Sequence, residues 1–515
     1  MSAGLLLVPV VAPLMAAAVL VVGRRAGPAL HRAVAWGVSV AVLVVAGILL
    51  TGTLDGELPV LRLGGWPPGI AITLVADVFS ALMLGVSALL VVVSLVFAAA
   101  TGEDRSPLFL PLALVLSAGV HGAFLTSDLF NLFVFVEVML LPSYVLLTAA
   151  GGAQRLAAGR LYVTVNLLAS TVLLAGIGLI YGVTGTVDLG GLAGVGGTTP
   201  AAALAGAVIL LALAVKAAVV PVHSWLPRTY SYTGPAVAVL FSGLLTKVGV
   251  YALIRIYAVI YDGDRQHLWL IMTVTLLTMV VGVLGAVGEK SMRPVLTFHM
   301  VSQIGYMLVG LALFTAAGLA AAIFFLVQYV LVKAALLMCA GAVEVGYGTG
   351  ELAGLGGLMR REPALAVAFA GAALALVGIP PLSGFVAKLG LATAAVAQEQ
   401  YLAAAVVIVV SLLTLMSMLK VWNAVFWQPA AAESTSGEGL PRAPAPASAP
   451  GGAATSTAAT SGTRLLGPAL TAPALVLAGL AVVLGVWAEP LLAASSAAAD
   501  GLVDTAAYVR AVTGS

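Results

Sequence analysis

Residues 235–261 read PAVAVLFSGLLTKVGVYALIRIYAVIY, an apolar run with one lysine, Lys247, near its middle and one arginine, Arg255, in its last third. About 20 apolar residues cross roughly 30 Å of hydrocarbon at 1.5 Å per residue. The stretch therefore reads as a membrane-spanning helix. Lys247 is then a cation held away from water, which costs about 2.5 to 3.5 kcal/mol at mid-helix on insertion scales.

The rest of the chain repeats the pattern. Of 515 residues, 62% are hydrophobic and 8% are charged, where soluble domains carry about a quarter charged. Apolar blocks lie near 3–23, 33–51, 73–100, 107–125, 129–149, 161–183 and 201–222, and again near 235–261, 267–287, 294–313, 317–343, 364–397, 401–427 and 468–488. The expected fold class is an all-α integral membrane protein of about fourteen transmembrane helices.

Charge placement sets the orientation. With the N-terminus outside, the loops on the opposite face hold Arg24, Arg25, Arg32, Arg105, Arg155, Arg160, Arg228, Lys290, Arg293, Arg360, Arg361, Arg442 and Arg464, against Arg62, Arg265 and Arg510 on the outer face. That bias places the first face in the cytoplasm and both termini outside. Arg24 and Arg25 follow the first apolar block instead of preceding it, the reverse of a cleavable signal peptide. The net charge of +2 is not gathered into a basic patch, which argues against a nucleic-acid partner. The single cysteine, Cys339, excludes an intrachain disulfide and a cysteine cluster for zinc or iron and sulfur.

Residues 428–466 are rich in Pro, Ala, Ser, Thr and Gly and read as a low-complexity cytoplasmic linker. Two apolar segments are broken by helix-breaking residues: 201–232 by Pro221 and Pro227, and 364–397 by GIPPLSG at 378–384. Each would be about 48 to 51 Å long as one helix, too long for one upright span and too short for two. Two discontinuous helices, one in each half, point to a transport pathway between inverted repeats. The organisation expected is 1–100 as helices 1–3, 107–261 and 267–427 as two five-helix repeats, and 467–515 as a C-terminal helix and tail.

Six cations stay inside the blocks: Lys216, Lys247, Arg255, Lys333, Lys388 and Lys420. Glu137 is the one acid deep in a span. Arg255 and Lys420 lie near block ends, where snorkelling or a structural role competes with an ion path. Lys333 shares a helix face with Tyr329. Lys216 and Lys388 each sit within eight residues of a break, where freed backbone groups and water solvate charge. His299, Ser302, Gln303 and Tyr306 form one polar stripe, either a wetted proton route or a set of interhelical hydrogen bonds. The weaker stripe Tyr162, Asn166 and Ser170 reads as packing. A buried lysine and a buried carboxylate both exchange protons readily when burial and neighbouring charge bring their affinities together.

The runs DLFNLFVFVEVMLLPSYVLL (128–147), VKAAVVPVHSWLP (215–227), SGLLTKVGVYALIRIY (242–257), HMVSQIGYMLVG (299–310) and GIPPLSGFVAKLGL (378–391) resemble the antiporter-like family. That family holds the large subunits of Mrp-type multisubunit Na⁺/H⁺ antiporters and the proton-pumping membrane subunits of respiratory complex I. The resemblance implies that Glu137 and Lys216 form a proton-transfer pair, with Lys247 central, Lys333 between and Lys388 terminal. His299, Ser302, Gln303, Tyr306 and His223 are candidates for proton access. Lysine at 388, with no long lateral helix after the last span, sides with the antiporter branch. The chain departs from the pattern in two places: Gln328 and Tyr329 stand where relatives commonly have His one turn before Lys333, and Arg228 replaces an acid frequent in complex I relatives.

What the resemblance implies is a subunit of a bacterial cell-membrane cation/proton antiporter, a transporter and not an enzyme. Its partners would be A-, B-, C-, E-, F- and G-type subunits, lipid, protons and Na⁺. The alternative is a pump subunit of a complex I-like or hydrogenase-like redox assembly. No flavin, haem or cluster motif is present, so no cofactor is expected in this chain. No cluster of intramembrane carboxylates marks a metal site, and the cation and its route stay open.

Overall fold

A computed structural model describes residues 3–25, 27–149, 151–429 and 466–514. Most of the expected linker, 430–465, lies outside these residues, as do Arg442 and Arg464. The helices are α1 (Val8–Val22), preceded by a 3-10 turn at Ala3–Leu7, α2 (Pro28–Leu54), α3 (Val78–Thr101), α4 (Phe109–Leu125), α5 (Leu129–Thr148), α6 (Ala153–Thr184), α7 (Pro200–Lys216) and α8 (Trp225–Tyr230). The second half runs α9 (Pro235–Ile260), α10 (Leu268–Gly288), α11 (Met292–Leu313), α12 (Ala316–Tyr347), α13 (Leu358–Arg361), α14 (Pro363–Val377), α15 (Ser383–Ala397), α16 (Tyr401–Trp422), α17 (Pro468–Val486), α18 (Glu489–Val503) and α19 (Ala506–Thr513). Eleven helices among the described residues are long and apolar enough to cross a membrane, and α4, α7, α14 and α15 are shorter apolar helices.

The two expected breaks are present. α7 stops at Lys216 and the chain resumes helix only at Trp225, while α14 and α15 are separated by residues 378–382. Gly378 ends α14 in the left-handed region at φ +91°, the conformation that glycine adopts without a Cβ penalty. Gly384 opens α15 against α14 so closely that a Cβ there would lie 1.8 Å from the Ala375 carbonyl oxygen.

Three expectations need correction. The block at 73–100 starts as a strand: β1 (Val60–Arg62) pairs antiparallel with β2 (Thr73–Val75), and α3 begins after Asp77, which forms a capping box with Ser80. α6 begins at Ala153, so Arg155 and Arg160 belong to its first turns instead of a loop. At 32 residues the helix is about 48 Å long, against roughly 30 Å of hydrocarbon. Hydrophobicity, which sets the 73–100 and 161–183 boundaries, sees neither a cap nor a polar extension. The third correction is at the C-terminus, where 489–515 is no plain tail: α18 continues the path of α17 along α12, and α19 follows.

The first block is a helix with an unexpected partner. Pro13 lies inside α1 and deprives the Pro9 carbonyl of its helical partner. The buried His121 ring of α4 bonds that oxygen through Nδ1 at 3.1 Å.

Burial is uneven across the bundle. α9 and α12 are enclosed by protein along their whole apolar windows, whereas only about a third of the windows of α2 and α17 is covered. Leu168 and Leu179 of α6, Leu277 and Leu284 of α10 and Leu412 of α16 are exposed on the outer surface, as helices bathed in lipid require. Lys247 and Lys333 thus occupy the two helices with least access to lipid. α10 and α11 approach through glycine: a Cβ on Gly282 would lie 2.3 Å from the Ser302 nitrogen, and one on Gly305 2.9 Å from the Met279 nitrogen.

The two ends of the bundle are chemically distinct. At one end the first turn, Ala3–Leu7, packs on β1, and the Arg62 guanidinium donates to the carbonyls of Ala511 and Val512 at 3.2 and 3.1 Å. Both described ends of the chain therefore share a face. The opposite end gathers Arg32 with Asp104 at 2.5 Å, Arg293 with Glu344, and Glu103, which accepts the Ala236 N–H at the start of α9 at 2.8 Å.

Candidate functional site

Lys216 is the last residue of α7, at the helix end where unsatisfied carbonyls favour a cation. Its ammonium donates to the Ser170 hydroxyl of α6 at 2.8 Å. Ser170 in turn donates to a carboxylate oxygen of the half-buried Glu137 on α5. The two charges do not touch: one hydroxyl lies between them. The Trp225 indole donates to the Val215 carbonyl at 3.0 Å and holds the frayed end of α7 in place.

Lys388 uses the second break in a parallel way. It donates to the carbonyls of Leu376 and Val377 at 2.8 and 3.0 Å, two of the acceptors that the end of α14 leaves without helical partners. Its ammonium also stands 4.5 Å from the centre of the Tyr306 ring. Lys247 has no break to use. It donates to the Ser242 carbonyl at 2.8 Å and the Thr246 hydroxyl at 3.2 Å of its own helix, and faces the Tyr329 ring at 4.6 Å. Lys333 donates to the Leu296 carbonyl of α11.

Three rings join these cations. Tyr306 stacks on Phe325 at 5.4 Å and Phe325 on Tyr329 at 5.9 Å, so Lys388 and Lys247 cover the two ends of one aromatic stack, each within cation–π range. The four lysines are buried, and none pairs directly with a carboxylate among the described residues. Neutral acceptors solvate a lysine in either protonation state, whereas a salt bridge would fix the charged one.

The polar stripe of α11 splits. His299 bonds the Ser417 hydroxyl at 3.0 Å, Ser302 donates to the Met279 carbonyl at 2.9 Å, and Tyr306 donates to the Val407 carbonyl at 2.8 Å. Those three are interhelical hydrogen bonds. Gln303 is different, because both its amide atoms are buried without a protein partner, as are His299 Nδ1, the Tyr329 hydroxyl and Gln328 Nε2. Such atoms are normally met by water. His223 lies half-buried in the segment after α7, with Nδ1 unpaired, and among the described residues no hydrogen bond joins it to the lysines.

Sequence reasoning misses Ser170 as a bridge. On the stripe Tyr162, Asn166 and Ser170 it reads as packing; only the meeting of α5, α6 and α7 gives it a role. The two open cases fall to structural contacts: Arg255 is ion-paired with Asp77 at 2.5 Å, and Lys420 caps the carbonyls of Val287 and Glu289 at 2.7 and 2.6 Å.

Enclosed central helices, two interrupted helices and cations solvated at the interruptions define a multi-spanning membrane protein of the helical transporter class. A family model described as NADH:quinone oxidoreductase/Mrp antiporter, TM, matches residues 126–414. The D-type subunit of the Na⁺/H⁺ antiporter of Alkalihalophilus pseudofirmus is 39% identical over 429 residues, 82% of this chain and 87% of that one. A chain in a structure of the Mrp complex from Dietzia sp. DQ12-45-1b superposes with a TM-score of 0.91 at 46% identity over 99% of both chains. A chain of respiratory complex I from Thermus thermophilus superposes with a TM-score of 0.79 at 23% identity over 97% of this chain and 99% of that one, which shows a shared fold. The chain belongs to the NADH:quinone oxidoreductase/Mrp antiporter family, and within it to the D-type subunits of Mrp antiporters.

Proposed function

We propose that this chain carries protons for a multisubunit Na⁺/H⁺ antiporter of a bacterial plasma membrane, along Glu137, Lys216, Lys247, Lys333 and Lys388, in assembly with A-, B-, C-, E-, F- and G-type subunits. The observation that carries the reading is the Ser170 hydroxyl, which accepts from the Lys216 ammonium and donates to the Glu137 carboxylate. A proton leaves Lys216 for the serine oxygen as the serine proton passes to Glu137, and the site goes from ammonium and carboxylate to amine and carboxylic acid. No charge is then stranded in the bilayer.

Farther along, a proton passes between lysines whose neutral and charged forms are both solvated by carbonyls, hydroxyls and ring faces. Water held by Gln303, His299 and Gln328 bridges the gaps that no side chain spans. The sidedness that fits is an outer face carrying both described chain ends, in line with the arginine bias.

The deciding experiment is Na⁺-dependent proton movement in everted vesicles carrying the assembled complex with Glu137→Gln. The amide keeps the shape and cannot ionise, so exchange is abolished with assembly intact. Exchange near the wild-type rate would make Glu137 structural and remove it from the path.

A further inference from the structure

We propose that Asp128 and Asp188 form a cation site at the outer end of the bundle, which holds either one alkali cation of the Na⁺ type or one shared proton. This rests on the antiporter reading and supplies what the intramembrane residues lack, a place for the exchanged cation on this chain.

The two residues meet in a short antiparallel bridge. The Leu129 N–H bonds the Val187 carbonyl at 2.9 Å and the Leu189 N–H bonds the Ser127 carbonyl at 2.7 Å, so Asp128 and Asp188 are the non-hydrogen-bonded pair between them. In that register both side chains leave the same face, with Cα atoms about 4.5 Å apart. Like charges directly opposite repel, and here both are buried, at 9% and 5% exposure.

The ordinary partners do not settle the account. One oxygen of Asp128 accepts the Asn131 N–H at 2.6 Å, capping α5, and Asp188 Oδ2 accepts the Gly191 N–H at 3.3 Å. Asp188 Oδ1 is buried with no partner. Neither carboxylate is ion-paired to a lysine or arginine among the described residues. Tyr508 is the titratable group that acts on Asp188, with Asp77 and Arg255 beyond its ring, and Arg62 donates to the carbonyl of Val512, the residue against Gly190. Arg255 is committed to Asp77 at 2.5 Å and lies over the Tyr508 ring at 4.9 Å. Burial pushes the carboxyls of Asp128 and Asp188 above their ordinary range, and at Asp188 the Asp128 charge adds to it.

One positive charge completes the site. The Thr126 hydroxyl accepts the Asp128 N–H at 3.2 Å and the Asn131 amide at 2.9 Å, and the Thr186 hydroxyl accepts the Asp188 N–H at 3.2 Å, so the ligands the pair itself offers are carboxylate oxygens, the choice of a hard cation. Among the described residues no group of three His, Cys, Asp or Glu is assembled, which disfavours a transition metal. Exchange balances: the carboxylate and carboxylic acid sharing one proton, plus Na⁺, give two carboxylates around Na⁺ plus a free proton. The site carries one net negative charge in either state.

The test uses the complete complex purified in detergent and weakly buffered, with NaCl or choline chloride added and the pH followed. Wild-type and Glu137→Gln complexes release protons on NaCl and not on choline. The Na⁺ needed for half the release rises about tenfold per unit fall in pH once the pair holds its proton. Asp188→Asn and Asp128→Asn each abolish the release in complexes that elute with all subunits. Unchanged release from Asp188→Asn overturns the site, and so does the absence of sodium-specific release from wild type, which would leave a pair holding a proton only. If either variant fails to assemble, Asp128→Glu and Asp188→Glu, which keep both carboxylates, shift the Na⁺ concentration needed for half the release, and an unchanged value overturns the site. Full exchange by Glu137→Gln, with release intact, would remove the lysine path and leave this site standing.

Discussion

Lys388 donates to the Leu376 carbonyl at 2.8 Å, so the cation is solvated by the helix end that the break in residues 378–382 opens. The interruption and the charge are one device. Without the break the carbonyl would be spent inside the helix, and without the lysine a carbonyl would lie orphaned in the bilayer.

It follows that Lys388→Ala stops Na⁺-dependent proton movement in everted vesicles while the complex still assembles. Lys388→Arg keeps the charge and the donors but does not release a proton at working pH, so it too is impaired, with less than about a tenth of the wild-type rate. Full activity of the arginine variant would show that Lys388 acts as a fixed charge.

Ser170→Ala removes the hydroxyl between Lys216 and Glu137. Exchange falls by about a hundredfold, the scale of a lost positioned proton-transfer group. Ser170→Thr, which restores the hydroxyl, recovers most of it. Measurement of both variants in H₂O and D₂O separates a broken relay from mere loosening of α6, because only the relay alters the isotope effect.

Gly384→Ala places a methyl 1.8 Å from the Ala375 carbonyl oxygen, a backbone atom that cannot swing aside. Overpacking of this kind costs about 1 to 3 kcal/mol or more. The variant complex should melt several degrees lower in detergent and lose exchange, and a wild-type melting point would show that the break tolerates separation of α14 and α15.

Asp77→Ala leaves the Arg255 guanidinium buried and unpaired, a change that costs about 3 to 5 kcal/mol. Complexes with that substitution should be recovered in low yield. Adding Arg255→Met, which removes the stranded charge, should restore much of the yield, as a double-mutant comparison of melting points will show.

Asp55 and Ser106 are exposed at opposite ends of the bundle, and the native cysteine, Cys339, is buried. With the arginine-rich face inward, Asp55→Cys labels with an impermeant maleimide in whole cells and Ser106→Cys only in everted vesicles. The reverse pattern would invert the topology.

The breaks are plain in the sequence, because proline and glycine act through the local backbone: Pro221 and GIPPLSG each mark a real interruption, whereas Pro227 does not, being accommodated in the first turn of α8. Lysines in apolar runs are legible for the same local reason, since their cost is visible in one dimension. Ser170 is not, because its meaning depends on three helices meeting, and a hydroxyl on a helix usually satisfies its own backbone. Asp128 and Asp188 are invisible as a pair, being 60 positions apart in loops whose register exists only after α5 and α6 are packed. Arg255 is ambiguous until Asp77, just ahead of α3, stands beside it.

Gly485, near the end of α17, lies against the second break so tightly that a Cβ on it would be 2.4 Å from the Pro381 carbonyl oxygen and the Ser383 nitrogen. Helices reach the membrane in order of synthesis, and α17 follows α14 and α15. The wall behind the Lys388 niche is therefore built later than the niche itself. A truncation before position 468 removes Gly485 and with it the surface that packs against Pro381 and Ser383, seven and five residues ahead of Lys388 in the chain.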